Sequence, residues 1–187
     1  MTSIALLYGS STGRTKAAAE AISCRLLCGQ VPCLDVRTWG TSAFVPADVL
    51  VVGASTWSVG ELQADWERLY PRLDELDLSR TRIALFGLGD QKNYRESFAD
   101  AVGLLHDKFE ALGARLDIGH TATDGYTFVT SEAVRQGRFC GLVLDDENQA
   151  DLTLGRIDDW CAQLRAELGL PETSAPAAGM PDVDRAA

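Results

Sequence analysis

Several protein classes are excluded by what this chain has little of. The five cysteines, Cys24, Cys28, Cys33, Cys140 and Cys161, are odd in number and contain no Cys-x-x-Cys pair, so neither a disulfide framework nor a zinc site is indicated. Cys24 and Cys28 share a helical face at i, i+4 and are expected as small buried hydrophobes. No apolar run approaches the ~20 residues of a membrane helix. The first residues lead straight into an apolar strand, without the basic and apolar regions of a signal peptide. The expected location is cytoplasmic. Basic residues are scarce: 17 Lys and Arg against 27 Asp and Glu give a net charge of −10 over 187 residues. Nucleic acids and anionic membranes, which need basic patches, are therefore disfavoured. Only His106 and His120 supply imidazole, and both are expected to be structural. Three of the six prolines fall after Leu170. Pro171 to Ala187, alanine-rich and aperiodic, is expected to be a disordered tail behind a single domain of residues 1–170.

What is present alternates between strand and helix. Ile4-Ala-Leu-Leu-Tyr8 is apolar throughout and reads as a buried strand. Thr15 to Leu27 reads as a helix with Gly29 as its C-cap, and Cys33 to Arg37 as a second strand. Val49-Leu-Val-Val-Gly-Ala54 is a third. Trp66, Leu69 and Leu73 give a second helix one apolar face. Ile83 to Leu88 is the fourth strand. Phe98, Val102, Leu105, Phe109 and Leu112 recur at spacings of 4, 3, 4 and 3 and define a third helix. Leu116-Asp-Ile118 and Gly141-Leu-Val-Leu144 read as one edge strand split by an insertion over 119–140, and Leu154 to Leu168 as a terminal amphipathic helix. Such alternation predicts an α/β fold with a doubly wound, five-stranded parallel sheet, helices on both faces and right-handed crossovers. Ligands of such sheets bind beyond the carboxyl ends of the strands, at the topological switch point.

Three loops lie there. After the first strand, Tyr8-Gly-Ser-Ser-Thr-Gly-Arg-Thr15 carries five hydroxyl side chains, Tyr8, Ser10, Ser11, Thr12 and Thr15, at a helix N-terminus, where unpaired amides and the helix dipole favour an anion. Three residues separate Gly9 from Gly13, with Arg14 following, which rules out both the Walker A loop and the G-x-G-x-x-G fingerprint. The inferred ligand is a phosphate monoester. The third strand is followed by Ser55-Thr-Trp-Ser-Val-Gly-Glu61, and the fourth by Gly89-Asp-Gln-Lys-Asn-Tyr94. Trp57 and Tyr94 on adjacent loops suit the two faces of a flat heteroaromatic ring, where offset stacking is worth about 0.5–1.5 kcal/mol.

Taken together, Ser10-Ser-Thr-Gly-Arg-Thr15, Thr56-Trp57 with Gly60-Glu-Leu-Gln63, Gly87-Leu-Gly-Asp-Gln91 with Tyr94, Thr123-Asp-Gly-Tyr126 and Leu144-Asp-Asp-Glu-Asn-Gln149 resemble the long-chain flavodoxins over residues 3 to about 170. The resemblance implies strand order 2-1-3-4-5 and non-covalent FMN. It would place the FMN phosphate on Ser10, Ser11, Thr12, Gly13, Arg14 and Thr15, Trp57 on the inner flavin face and Tyr94 on the outer. The backbone of Ser55, Thr56, Trp57, Ser58, Val59 and Gly60, with Leu88, Gly89 and Asp90, would line the ring edge, and Asp145 or Asp146 the ribityl chain or rim. Gly60 lets the Ser58–Val59 peptide reorient, as the family uses it to bond the flavin ring nitrogen.

The expected function is then a low-potential one-electron carrier, not an enzyme. Reduced flavin beside Asp90, Glu61, Asp65 and Asp146 meets like charge, and each ~1.4 kcal/mol of penalty lowers a one-electron potential by about 59 mV. The alternative is an FMN-dependent NAD(P)H quinone or nitro reductase of the same fold. Acidic residues outnumber basic ones between Asp117 and Asp159, which favours a monomer docking with basic surfaces of redox partners. The sequence resembles flavodoxins that donate to the nitrogenase reductase component as much as those served by an NADPH-linked flavodoxin reductase.

Overall fold

A computed structural model describes residues 2–27, 30–44 and 47–171. Gly29, Cys28 and the tail from 172 onward, about which the sequence carries expectations, lie outside the described residues. In chain order the elements are β1 (Ile4–Tyr8), α1 (Arg14–Leu27), β2 (Cys33–Asp35), α2 (Val36–Trp39), a 3-10 turn (Gly40–Phe44), β3 (Val49–Trp57), β4 (Glu61–Leu62), α3 (Ala64–Leu69), a second 3-10 turn (Tyr70–Glu75), β5 (Arg82–Leu88), α4 (Asp100–Ala111), β6 (Thr121–Ala122), β7 (Val134–Arg135), β8 (Arg138–Phe139), β9 (Gly141–Leu144) and α5 (Ala150–Leu168).

The central sheet runs β2-β1-β3-β5-β9, all parallel, with β4 folded antiparallel onto β3. Counting only the five central strands, this is the expected order 2-1-3-4-5. Its strands are apolar on both faces because both are covered. Alternate residues serve opposite cores. Leu7, Leu50, Val52 and Leu85 pack with Trp66, Phe98, Val102, Leu105 and Phe109, whereas Leu6, Val51, Phe86 and Leu144 pack with Ile22, Leu26, Ile157, Trp160 and Leu164.

Five expectations need correction. β2 stops at Asp35, two residues short of Arg37, because the Asp35 carboxylate accepts the Arg37 N–H at 2.8 Å and caps α2. β3 does not end at Ala54: it continues through Trp57 and turns back as β4, with Trp57 opposite Glu61. The second helix is α-helical only to Leu69. Pro71 opens a 3-10 turn that carries Leu73, in keeping with the hydrogen bond a proline cannot donate. The third helix begins at Asp100, so Phe98 packs from the preceding turn rather than from the helix. Cys24 is also exposed, not buried.

The edge strand is split as expected, but its first part is a single parallel bridge between Arg82 and Arg115, one residue before Leu116. Gly119, at φ +74°, turns the chain away, and Trp160 Nε1 donates to its carbonyl at 2.7 Å. Residues 119–140 then fold into a small antiparallel sheet ordered β6-β8-β7, while Tyr126, Phe128 and Phe139 gather around Phe98. The edge pairing of β9 depends on Gly141, where a Cβ would meet the Leu85 carbonyl oxygen at 2.3 Å. Since backbone cannot swing aside as a side chain can, Gly141→Ala is expected to destabilise the fold by about 1–3 kcal/mol of overpacking. The readout is a lower urea midpoint at unchanged slope.

Candidate functional site

Parallel pairing brings the carboxyl ends of β1, β3 and β5 to one edge of the sheet, and a cavity of about 270 Å³ opens there. From the β1–α1 turn it is lined by Thr12, Arg14 and Thr15. From β3 come Ser55, Thr56 and Trp57, and from beyond β5 come Leu88, Gly89, Asp90, Tyr94 and Ser97. Asp146 and Glu147, after β9, close it.

The first turn is built to receive an anion. Ser10 Oγ accepts the Gly13 N–H at 3.1 Å, which curls the turn, and Gly13 adopts φ +90°, favoured by glycine. Ala17 N–H donates to the Gly13 carbonyl at 2.9 Å. The amides of Arg14, Thr15 and Lys16 precede the first helical bond and have no partner within the helix. Ser11 Oγ accepts from Gln63 Nε2 at 2.9 Å, and Gln63 Oε1 in turn caps α3 by accepting the Asp65 N–H. Gly9 must be glycine, because a Cβ would meet Gln63 Oε1 at 2.5 Å and the Trp66 ring at 2.6 Å. Ser10, Ser11 and Gly13 thus shape the turn without lining the cavity.

The two aromatics sit where the loop positions imply. Trp57 is 41 % exposed and Tyr94 45 % exposed, so each presents ring surface to the opening. Trp57 Nε1 donates to Ser55 Oγ at 2.9 Å, holding the indole against its own strand. Ser58 and Gly60 both have positive φ, 45° and +88°, in the turn joining β3 to β4. Val59 at its tip is 82 % exposed. These three residues stand outside the lining. The Asp90 turn is rigid, with Oδ1 accepting the amides of Lys92 and Asn93 and Nδ2 of Asn148. Burial would push the Asp90 carboxyl up, but hydrogen bonds from Asn93, Asn148 and Lys92 outweigh it and hold the group below its ordinary range.

Sequence position left Asp145 and Asp146 open as alternatives, and the structure separates them. Asp145 is fully buried and accepts the Gln91 N–H at 3.1 Å and the Asn148 N–H at 3.1 Å, so it ties two loops together. Asp146 lines the cavity, and its Oδ1 accepts from Thr153. Asp65, expected as a free charge near the ring, is instead buried among Gln63 and Arg68. Ser97 and Glu147 were not legible as lining residues. Glu147 pairs with Arg14 across the mouth, a contact between residues far apart in sequence.

The lining thus offers hydroxyls and amides at one end, two rings in the middle and three carboxylates at the rim. Neither histidine reaches it. His106 and His120 line a separate groove. There the His106–Asp107–Glu110 cluster, close enough to suggest a metal, already holds its cation: Asp107 Oδ1 accepts from Arg135 Nη2 at 2.7 Å and contacts His106 Nδ1 at 3.2 Å.

Comparison with known proteins agrees with this geometry. The family model described as flavodoxin matches residues 6–160. A flavodoxin of Nostoc sp. is 43% identical over 167 residues, 89% of this chain and 98% of its own length, and one of Haemophilus influenzae is 36% identical over 173 residues, 92% and 99% of the two chains. Among solved structures, Fusobacterium nucleatum flavodoxin bound to flavin mononucleotide superposes with a TM-score of 0.83 at 31% identity, covering 89% of this chain and 99% of that one.

Proposed function

The chain belongs to the flavodoxin family, and from that premise we propose that it is a low-potential one-electron carrier whose cofactor is non-covalently bound FMN. It is an electron-transfer protein rather than an enzyme, and its partners are redox proteins. The observation that carries the reading is the slot itself: two half-exposed rings beside a cavity that ends in a hydroxyl-bearing helix start. FMN has that shape and polarity, a flat ring at one end and a phosphate at the other.

In this reading the turn from Ser10 to Thr15 holds the phosphate by its hydroxyls and by the amides at the start of α1. Thr12 and Thr15 make direct contact, and Ser10, Ser11 and Gly13 set the shape of the turn. Trp57 and Tyr94 cover the two faces of the flavin. Backbone from Ser55 to Gly60 and from Leu88 to Asp90 borders its edge, and Asp146 lies at the rim. Flavin supplies the electron-accepting ring; the chain supplies its surroundings. Asp90 and Asp146 put negative charge where reduction would add more, which lowers the potential, while the charge of Glu147 is offset by Arg14.

Docking follows from charge. Glu61, paired with Trp57 in the β3–β4 hairpin, and Glu67 are exposed, on a chain of net charge −10, and would steer a basic partner surface. The nitrogenase reductase component and an NADPH-linked flavodoxin reductase are the two partners that fit, met by a cytoplasmic monomer folded as one domain over residues 1–170. Among the described residues, no helix is long and apolar enough to cross a membrane.

Two substitutions test the site. Trp57→Ala is expected to weaken FMN and riboflavin alike, by about tenfold, because stacking ignores the phosphate. Thr12→Val is expected to weaken FMN by roughly tenfold or more, the value of a hydrogen bond to a charged group, and to spare riboflavin. Fluorescence titration of the apoprotein with each ligand reads both, and equal losses in the Thr12 variant would move the phosphate elsewhere. For docking, electron-transfer rates to a basic partner are expected to fall steeply with ionic strength. Stopped-flow rates that stay flat from low to high salt would remove the steering claim.

A further inference from the structure

The hairpin that carries Trp57 rests on a carboxylate outside the cavity lining. Asp100 opens α4. Its Oδ2 lies 2.7 Å from where a Cβ on Gly60 would stand, so the carboxylate is packed directly under the turn. Its Oδ1 accepts the backbone N–H of Glu132 at 2.8 Å, across a sequence separation of 32. The next amide, Ala101 N–H, donates to Thr56 Oγ1 at 3.1 Å and fastens the same helix start to the Trp57 strand. Farther along the helix, Gly103 approaches Glu132 so closely that a Cβ would meet its carbonyl oxygen at 2.0 Å. The Asp100 carboxylate thus touches both Gly60 and Glu132, and the neighbouring contacts of Ala101 with Thr56 and of Gly103 with Glu132 hold the same three segments together.

This contact has a use that packing alone would not require. Positive φ suits Gly60 but is uncommon for Ser58, so the turn needs its surroundings to hold Ser58 there. An apolar residue would fill the space beneath it without the cost of burying a carboxylate, but would make no bond to Glu132. Burial pushes the Asp100 carboxyl up, the Glu132 N–H draws it down and the Glu132 charge pushes it up again, leaving it above its ordinary range.

We propose that Asp100 is a positioning residue for the FMN site: it locks the Ser58–Gly60 turn, and with it Trp57, to the backbone of Glu132, so that FMN binding is transmitted to Glu132. The inference rests on the FMN reading above. It is tested by hydrogen exchange at the Glu132 amide, with and without FMN, in the wild type, Asp100→Ala and Asp100→Asn. Asparagine keeps the acceptor oxygen and the size, so it should rescue what alanine loses. The expected result is slower exchange at Glu132 on FMN binding in the wild type and Asp100→Asn, and no slowing in Asp100→Ala. FMN should also leave Asp100→Ala about tenfold faster, the scale of one lost hydrogen bond to a charged group. Asp100→Ser, whose hydroxyl is too short to span both contacts, serves in place of alanine should that variant not fold, with the same expectation.

Wild-type protein with no FMN-dependent protection at Glu132 would overturn the proposal, as would protection that survives in Asp100→Ala or Asp100→Ser. Absorbance recorded before exchange separates these outcomes from a wild type that takes up no FMN, which would overturn the cofactor reading itself.

Discussion

Parallel pairing of β1, β3 and β5 is the constraint on which the site depends. Tyr8 lies beside Gly53, and Ser55 beside Leu88, so the turns after the three strands emerge at the same edge. No single turn makes a binding site: the hydroxyl-rich turn has no ring, and neither aromatic has an anion partner. Register brings them together, and two buried cores fix the register, since a one-residue slip would exchange the residues that each face buries.

Holding loops at the sheet edge requires buried polar groups, because backbone there leaves the ladder and must find other partners. Gln63, Gln91 and Asp145 are all nearly or fully buried. Each joins two loops: Gln63 the anion turn and α3, Asp145 the Asp90 turn and the start of the last connection. Gln91 Oε1 accepts the Thr127 N–H at 2.6 Å and ties in the 119–140 segment. Asp100 belongs with these groups by geometry. The rim carries Asp90, Asp146 and Glu147 with the cation Arg14, which pairs with Glu147 across the mouth, while these buried groups of the scaffold are satisfied by hydrogen bonds.

Much of this was legible in the sequence because the central strands are buried on both faces and read as unbroken apolar runs. The end of β3 was not, since Ser55 is held in the sheet by pairing with Leu88 of β5, and Thr56 and Trp57 by pairing with β4, contacts that leave no local signal. Nor was the bridge at Arg115, which tertiary contact with β5 creates. At the site, Thr12, Trp57, Tyr94 and Asp90 could be singled out because loop position alone brings them to the edge. Ser97 and Glu147 arrive through packing of α4 and through an ion pair with Arg14, neither of which leaves a local signal. Gln63 left none either, since glutamine is not among the residues that mark an N-cap, and its capping of α3 shows only in the fold. The choice between Asp145 and Asp146 turned on which side chain points into the core.

The central claim is that the slot holds FMN and that the chain moves one electron at a time. Anaerobic reductive titration of the FMN-loaded protein, followed by absorbance, tests it most directly. The account predicts stoichiometric flavin and reduction resolved into two one-electron steps, the second at low potential. Flavin reduced in a single two-electron step, with NAD(P)H oxidation accelerated by quinones, would contradict the carrier and favour a reductase; a colourless protein that takes up no FMN would contradict the site itself.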